Sequence, residues 1–187
     1  MPRNYTLAPG RDLWVFGYGS LMWSPGFPVA EKRVVRIFGF HRSLCISSHR
    51  YRGTPERPGL VLGLEPGGCC WGAALRADAA HAPAALAYLW EREMNTQAYR
   101  PLELAAYGGG GGDALQVLAF VAKPGHPQYA GRLDERAAAA RVAASRGECG
   151  ANLDYVAETV AHLQQMGAPD RRLTRILRLA AGQVQAA

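Results

Sequence analysis

Two places in the chain carry side chains whose type and setting point to chemistry: the run Gly17-Tyr18-Gly19-Ser20 and the carboxylate of Glu93. Glycines one residue apart let a backbone take positive φ or turn its amides to one side, which residues with a Cβ do only at a cost. Successive N–H groups turned the same way form a concavity for an anion or a carbonyl oxygen, and the Ser20 hydroxyl can join them. The alternative is a tight turn after an N-terminal strand. Glu93 falls with Leu86, Leu89 and Trp90 at i, i+3, i+4 and i+7, a carboxylate on the apolar stripe of a helix near its C-terminus. Burial and the negative end of the helix dipole both disfavour its charged form, which is how a general base is tuned toward neutral pH. The structural alternative is an ion pair with Arg92, Arg76 or Arg100. Glu91 lies about 200° around the helix from Glu93, so the two are not a dyad.

Other chemistries fit less well. A dinucleotide loop needs a third glycine where this chain has Met22, then a helix, which Pro25 and Pro28 prevent. A phosphate-binding loop lacks its lysine. Ser20 does not sit in a G-x-S-x-G elbow, and the five histidines show no informative spacing with it or with the cysteines. Cys45, Cys69, Cys70 and Cys149 include no C-x-x-C and no ligand spacing, so no structural metal site is expected. Reduced thiols with packing roles are the simpler reading.

The elements that must position these groups follow from local pattern. Leu13, Trp14, Val15 and Phe16 read as a short buried strand running into the glycines. Residues 32–48 are rich in Val, Ile and Phe and predict one long or two shorter strands, with Gly39 marking a bend or bulge. The arginine-rich stretch 49–59 is a loop. Strands are expected at 60–65 and 70–76, hinged at Gly67-Gly68, then a helix over 79–94 with Pro83 in its first turn or delaying its start. Residues 99–107 return as a strand, the glycines at 108–112 form a tolerated surface insertion, and 116–123 is the last strand. Asp134 caps a helix through Ser145, broken at 147–150. Asn152 caps the next, whose stripe is Leu153, Val156, Val160 and Leu163, with Tyr155 off that stripe and its hydroxyl free to face a pocket. Leu173, Ile176, Leu177 and Ala180 give a short final helix. Strands first and helices late make the domain α+β, a sheet or barrel rather than a βαβ array.

At 187 residues, 49% apolar and 19% charged, the chain has globular composition and suits one domain over 13–187 behind a short extension, 1–12. The net charge of +6 is carried by scattered arginines without an RNA-stacking motif, so nucleic acid is not the expected partner. No apolar run approaches the ~18 residues of a membrane span, and the first eleven residues lack an apolar signal core. Cytoplasmic residence is the default expectation.

Several motifs together carry a resemblance: V-F-G-Y-G-S-L at 15–21, R-G-T-P-E-R-P-G at 52–59, C-x-G-A-A-L-R around 71–76, Y-L-W-E-R-E-M at 88–94 and N-L-D-Y at 152–155. In this order they resemble the ChaC-like γ-glutamylcyclotransferases over most of the chain. The resemblance implies a small mixed sheet, partly closed into a barrel and flanked by helices. It also implies a cofactor-free enzyme that converts glutathione to 5-oxoproline and cysteinylglycine. On that likeness Glu93 is the catalytic acid–base, and Gly17, Tyr18, Gly19, Ser20, Leu21 and Met22 hold the γ-glutamyl unit. Arg52 and Tyr155 are added as substrate-binding residues, with Arg50, Arg76 and Arg100 as further candidates for a substrate carboxylate. Another γ-glutamyl compound as substrate, or a non-catalytic regulatory module, are the readings set against it.

Overall fold

The run Leu13–Gly17 forms β1, with every residue but Trp14 buried. It is paired along both edges, and its side chains are buried on both faces except at Trp14. It runs antiparallel to β3 (Gly59–Ala77), with Val15 opposite Leu75 and Gly17 opposite Ala73, and parallel to β5 (Leu115–Ala122), with Val15 opposite Leu118. Strand β2 (Glu31–Ser48) pairs with β4 (Tyr99–Gly108), and β4 with β5 along its length. The five strands close into a barrel in the order β1-β3-β2-β4-β5. This computed structural model describes residues 5–109 and 113–185.

β2 is one strand of 18 residues, bent at Gly39, whose φ is +81°. The two strands expected at 60–65 and 70–76 are a single strand, β3, because Gly67 and Gly68 take φ of +100° and +71° and bend the chain without ending its pairing. Cys69 and Cys70 there point to opposite faces, one exposed and one buried, as strand alternation requires. Of the expected glycine insertion, Gly108 ends β4 and residues 110–112 lie outside the described residues, as do 1–4 of the extension.

Helix α1 is Ala82–Glu93, three residues shorter at its start than expected. Asp78 accepts from the His81 amide at 3.0 Å and meets its ring at 2.7 Å, which holds residues 78–81 in a turn, and Pro83 lies in the first helical turn. The remaining elements are α2 (Glu135–Ala144), the two-residue strands β6 (Arg146–Gly147) and β7 (Gly150–Ala151), α3 (Asn152–Gln165) and α4 (Arg171–Gln185). Asp134 caps α2 as expected, accepting from Ala137 N at 2.8 Å. The last helix is not short: it runs 15 residues on the buried stripe Leu173, Ile176 and Ala180.

The chain groups into two compact units. One takes the residues up to Arg42 together with Leu64–Lys123, and so holds β1, α1, β4, β5 and parts of β2 and β3. Its core is built on Phe16, Leu75, Leu89, Leu118 and Phe120, all 1% exposed or less. The other takes Ser43–Gly63 and the chain from Pro124 onward, where α2, α3 and α4 pack on Val142, Val156, Leu163 and Ile176.

Candidate active site

The segment after β1 is a 3-10 turn, Ser20–Met22, closed by Met22 N donating to Gly19 O at 2.9 Å and Ser24 N to Ser20 O at 2.8 Å. Neither glycine before it adopts positive φ; Gly19 has φ −141°. What Gly17 supplies is room, since a Cβ there would stand 3.3 Å from the Leu21 Cβ and the Met22 amide. Gly72 on β3 does the same from below: a Cβ would stand 2.5 Å from the Gly17 carbonyl oxygen and 2.7 Å from the Phe16 ring. The amides of Ser20 and Leu21 open the turn and donate to no protein acceptor among the described residues.

Four side chains fix this segment. The Tyr18 hydroxyl donates to Phe120 O at 2.6 Å, so the Tyr18 ring packs into the core, 7% exposed and stacked on Phe16. Arg42 donates through Nε to Tyr18 O and through Nη2 to Trp71 O, both at 2.6 Å. Lys32 donates to Met22 O at 2.8 Å. Arg92, on the last turn of α1, donates to Ser20 Oγ at 2.8 Å and to Ser24 O at 2.7 Å. Three of the four anchors are cations, so the surroundings of the Ser20 and Leu21 amides favour an anionic guest.

Glu93 sits beside that last anchor. The buried stripe of α1 runs Ala82, Ala85 and Leu89, and one more turn brings it to Arg92 and Glu93. The Glu93 side chain keeps 17% of its surface exposed, yet protein atoms crowd the carboxyl on nearly all sides. Desolvation pushes its pKa above the ordinary carboxylate value, and the Arg92 charge, with Nε 3.1 Å from Oε1, pulls part of the way back. One guanidinium therefore holds Ser20 and Glu93 together: Nε faces the carboxylate while Nη2 donates to the hydroxyl. Tyr88, one turn back, accepts from Arg92 Nη1 at 3.1 Å. Its hydroxyl occupies the space a Cβ on Gly26 would need, at φ +78°.

The second unit holds the other two residues expected at the site. Tyr155 is buried rather than off the stripe of α3: the buried face is Asn152, Tyr155, Val156, Thr159, Val160 and Leu163. Asn152 does not cap the helix, whose N-cap is Ala151. Its side chain instead exchanges two hydrogen bonds with the Leu60 backbone, at 2.7 and 2.8 Å, and Leu62 N donates to the Tyr155 hydroxyl at 3.2 Å. Side chains three apart on a helix thus serve backbone two apart on a strand. Arg52 lies over the Tyr155 ring, 5.5 Å from its centroid, and donates to Cys149 O at 2.6 Å and Ala151 O at 3.2 Å. Arg50 pairs with Glu148, and Arg76 with Asp12 and Glu31, while Arg100 is an exposed residue of β4.

The structure thus brings together Ser20, the Ser20 and Leu21 amides and Glu93 around Arg92, and turns the Tyr18 side chain into the core. Arg42 and Lys32 were not among the expected site residues, and Arg92 was expected only as a structural ion-pair partner of Glu93, a pair that is present. Arg92 lies one turn beyond Leu89 beside the buried stripe, and the signal overlooked is the reach of an arginine stem, long enough to fold back toward a loop. Among the described residues, no group of three or more His, Cys, Asp or Glu side chains is placed to hold a metal ion, and no helix is long and apolar enough to cross a membrane.

Known proteins resemble this chain over most of its length. The human glutathione-specific gamma-glutamylcyclotransferase 1 is 36% identical over 172 residues, covering 89% of this chain and 78% of that protein. The Escherichia coli glutathione-specific gamma-glutamylcyclotransferase is 33% identical over 169 residues, covering 88% of this chain and 71% of its own length. The crystal structure of the yeast cyclotransferase specific to glutathione superposes with a TM-score of 0.84 at 22% identity, covering 95% of this chain and 99% of the yeast chain, and so shares its fold. The family model for ChaC-like protein matches residues 13–182, and the chain belongs to that family.

Proposed function

We propose that the protein cleaves glutathione to 5-oxoproline and cysteinylglycine by intramolecular aminolysis, with Glu93 as general base and then general acid. The observation that carries this reading is a desolvated carboxyl held by the same guanidinium that grips the Ser20 hydroxyl. Relatives named as glutathione-specific support the choice of substrate.

The α-ammonium of the γ-glutamyl unit must lose a proton before its nitrogen can act as a nucleophile. Glu93, whose pKa burial raises, takes that proton. The nitrogen attacks the γ-carbonyl carbon, closing a five-membered ring, and the amide bond to cysteine breaks. The ring nitrogen gives up a second proton as the amide bond breaks, and Glu93 relays both protons in turn to the departing cysteinyl nitrogen, which leaves as an ammonium, so no water is consumed and the carboxylate is regenerated. Nucleophile, electrophile and leaving group all belong to one substrate molecule, so the protein's main task is to enforce the folded conformer. The Ser20 and Leu21 amides suit either the glutamyl α-carboxylate or the developing oxyanion. Gly17, Gly19 and Met22 shape that cradle and Tyr18 holds it from the core, while Arg52 and Tyr155, in the other unit, are kept as proposed substrate-binding residues. The reaction changes no oxidation state and needs no cofactor. We place it in the cytoplasm, where a thiol substrate and the four free cysteines stay reduced, acting on a small molecule rather than on nucleic acid or membrane.

The test is release of 5-oxoproline from glutathione in the presence of EDTA. Wild type is expected to release it, and Glu93→Gln to lower kcat by about 10²–10⁴-fold with folding retained. Glu91→Gln, around the helix, should stay near wild type. Near-wild-type turnover by Glu93→Gln would remove the base assignment, and no product from wild type would remove the substrate.

A further inference from the structure

The family match begins at Leu13, yet the residues before it are not idle. In residues 5–8 exposure alternates: Tyr5 and Leu7 are half-buried while Thr6 and Ala8 are exposed, the pattern of an extended chain lying on a surface. The Tyr5 ring stacks on Trp90 of α1, with centroids 6.2 Å apart and planes at 24°. Trp90 in turn meets Phe120 of β5 edge-on at 6.0 Å. Phe120 also supplies the carbonyl that receives the Tyr18 hydroxyl. At the other end of the segment Asp12 pairs with Arg76 at 2.8 Å before β1 begins. The segment is therefore pinned at both ends, and its first pin bears on the helical turn that carries Arg92 and Glu93.

We infer that residues 5–12 act as a strap in which Tyr5 is a positioning residue: stacked on Trp90, it holds the last turn of α1 so that Glu93 stays aligned with the Ser20–Met22 turn. The inference rests on the proposed aminolysis for its kinetic consequence, but not for its structural one. Trp90 lies between two rings, Tyr5 outside and Phe120 inside, so its orientation is set only while both are present. That last turn needs a support. Met94 N donates to Trp90 O at 3.0 Å, after which Gln97 takes φ +59° and the chain leaves the helix, so no further helical turn braces Glu93 from the C-terminal side. The strap supplies bracing from the flank. A base displaced by part of an ångström loses rate more than binding, because the cradle amides are untouched.

The experiment compares wild type, Tyr5→Ala and Tyr5→Phe in two readouts. With glutathione, Tyr5→Ala should lower kcat about three- to tenfold, the factor that loss of one aromatic stack translates to, with KM changed less than about twofold. Tyr5→Phe, which keeps the ring, should restore kcat to within about twofold. In hydrogen exchange without substrate, Tyr5→Ala should speed exchange of the amides of residues 90–94 about threefold or more, with Tyr5→Phe again close to wild type. A kcat for Tyr5→Ala within twofold of wild type, a rise in KM alone, or a failure of Tyr5→Phe to restore kcat would overturn the positioning role. Unchanged exchange over residues 90–94 would overturn the strap itself. Should wild type release no 5-oxoproline, the proposed function falls, and the exchange comparison still decides the strap.

Discussion

Replacing Arg92 by methionine keeps the aliphatic stem and removes the charge and the planar fork, and so separates what the guanidinium does for Glu93 from what it does for the loop. Arg92 contributes hydrogen bonds to Ser20 Oγ, Ser24 O and Tyr88 Oη, and an ion pair to Glu93, with 23% of its side chain exposed. A hydrogen bond to a charged group is worth about 1.5–3 kcal/mol net. Those to Ser24 and Tyr88 are exposed and can be replaced by water, and contacts shared by one group do not add, so the whole loss is about 1–3 kcal/mol. For a chain of this size that lowers Tm by about 2–12 °C.

The catalytic consequence has a definite sign. Burial raises the Glu93 pKa and the Arg92 charge lowers it, so removing the charge raises it further. A general base works ionised, and the rate falls as pH falls through its pKa; the acid limb of kcat/KM therefore moves to higher pH in Arg92→Met. Arg92→Lys restores a charge but not the fork that spans Glu93, Ser20 and Ser24. In Arg92→Lys the limb should move back toward wild type, while KM for glutathione, raised in Arg92→Met by loss of that fork, stays raised. The assay is 5-oxoproline release across pH for the three proteins. A limb that stays in place or moves to lower pH in Arg92→Met would refute the reasoning that Arg92 and Glu93 form the working pair.

Two further outcomes follow from burial. The Glu93 carboxyl has a folded-state pKa above its ordinary value of 4.5, so the unfolded chain loses its proton first as pH rises. Its contribution to stability is fully present below that value and is lost as pH rises toward the folded pKa. The Tm of Glu93→Gln should accordingly gain on wild type across that window and then hold a constant lead; a lead independent of pH would contradict a desolvated carboxyl. Asn152 is 0% exposed and satisfies both the amide and the carbonyl of Leu60. Asn152→Ala leaves two buried backbone groups unpaired, at about 1–3 kcal/mol each, so the denaturation midpoint should drop by an amount matching about 2–5 kcal/mol, and an unchanged midpoint would deny that role.

What the sequence made legible was local. The apolar run before Gly17 and the cap at Asp134 each follow from a few neighbouring residues and stand in the structure, whereas the expected stripe of α1 holds only at Leu89: the buried face runs Ala82, Ala85 and Leu89, with Leu86, Trp90 and Glu93 half-buried. The joins were not legible, because they depend on side chains that reach across elements. Asn152 reads as a cap by type and place, but the unpaired backbone at Leu60 competes for the same amide and wins, since a buried strand edge costs more unsatisfied than a helix end facing water. Tyr155 follows it into the interior, because the face that carries Asn152 must carry the residue three positions on. The bend at Gly67-Gly68 reads as a break, although positive φ at two successive glycines turns a strand while leaving it in the sheet. Arg92 is the most consequential case. Its helical phase is unremarkable, and only the stem's curl back to the loop makes it the group that binds hydroxyl and carboxylate at once. A carboxylate on the inward side of a helix can be found from periodicity; the cation that pairs with it has to be found in space, because any of several arginines nearby in sequence would have fitted the pattern equally well.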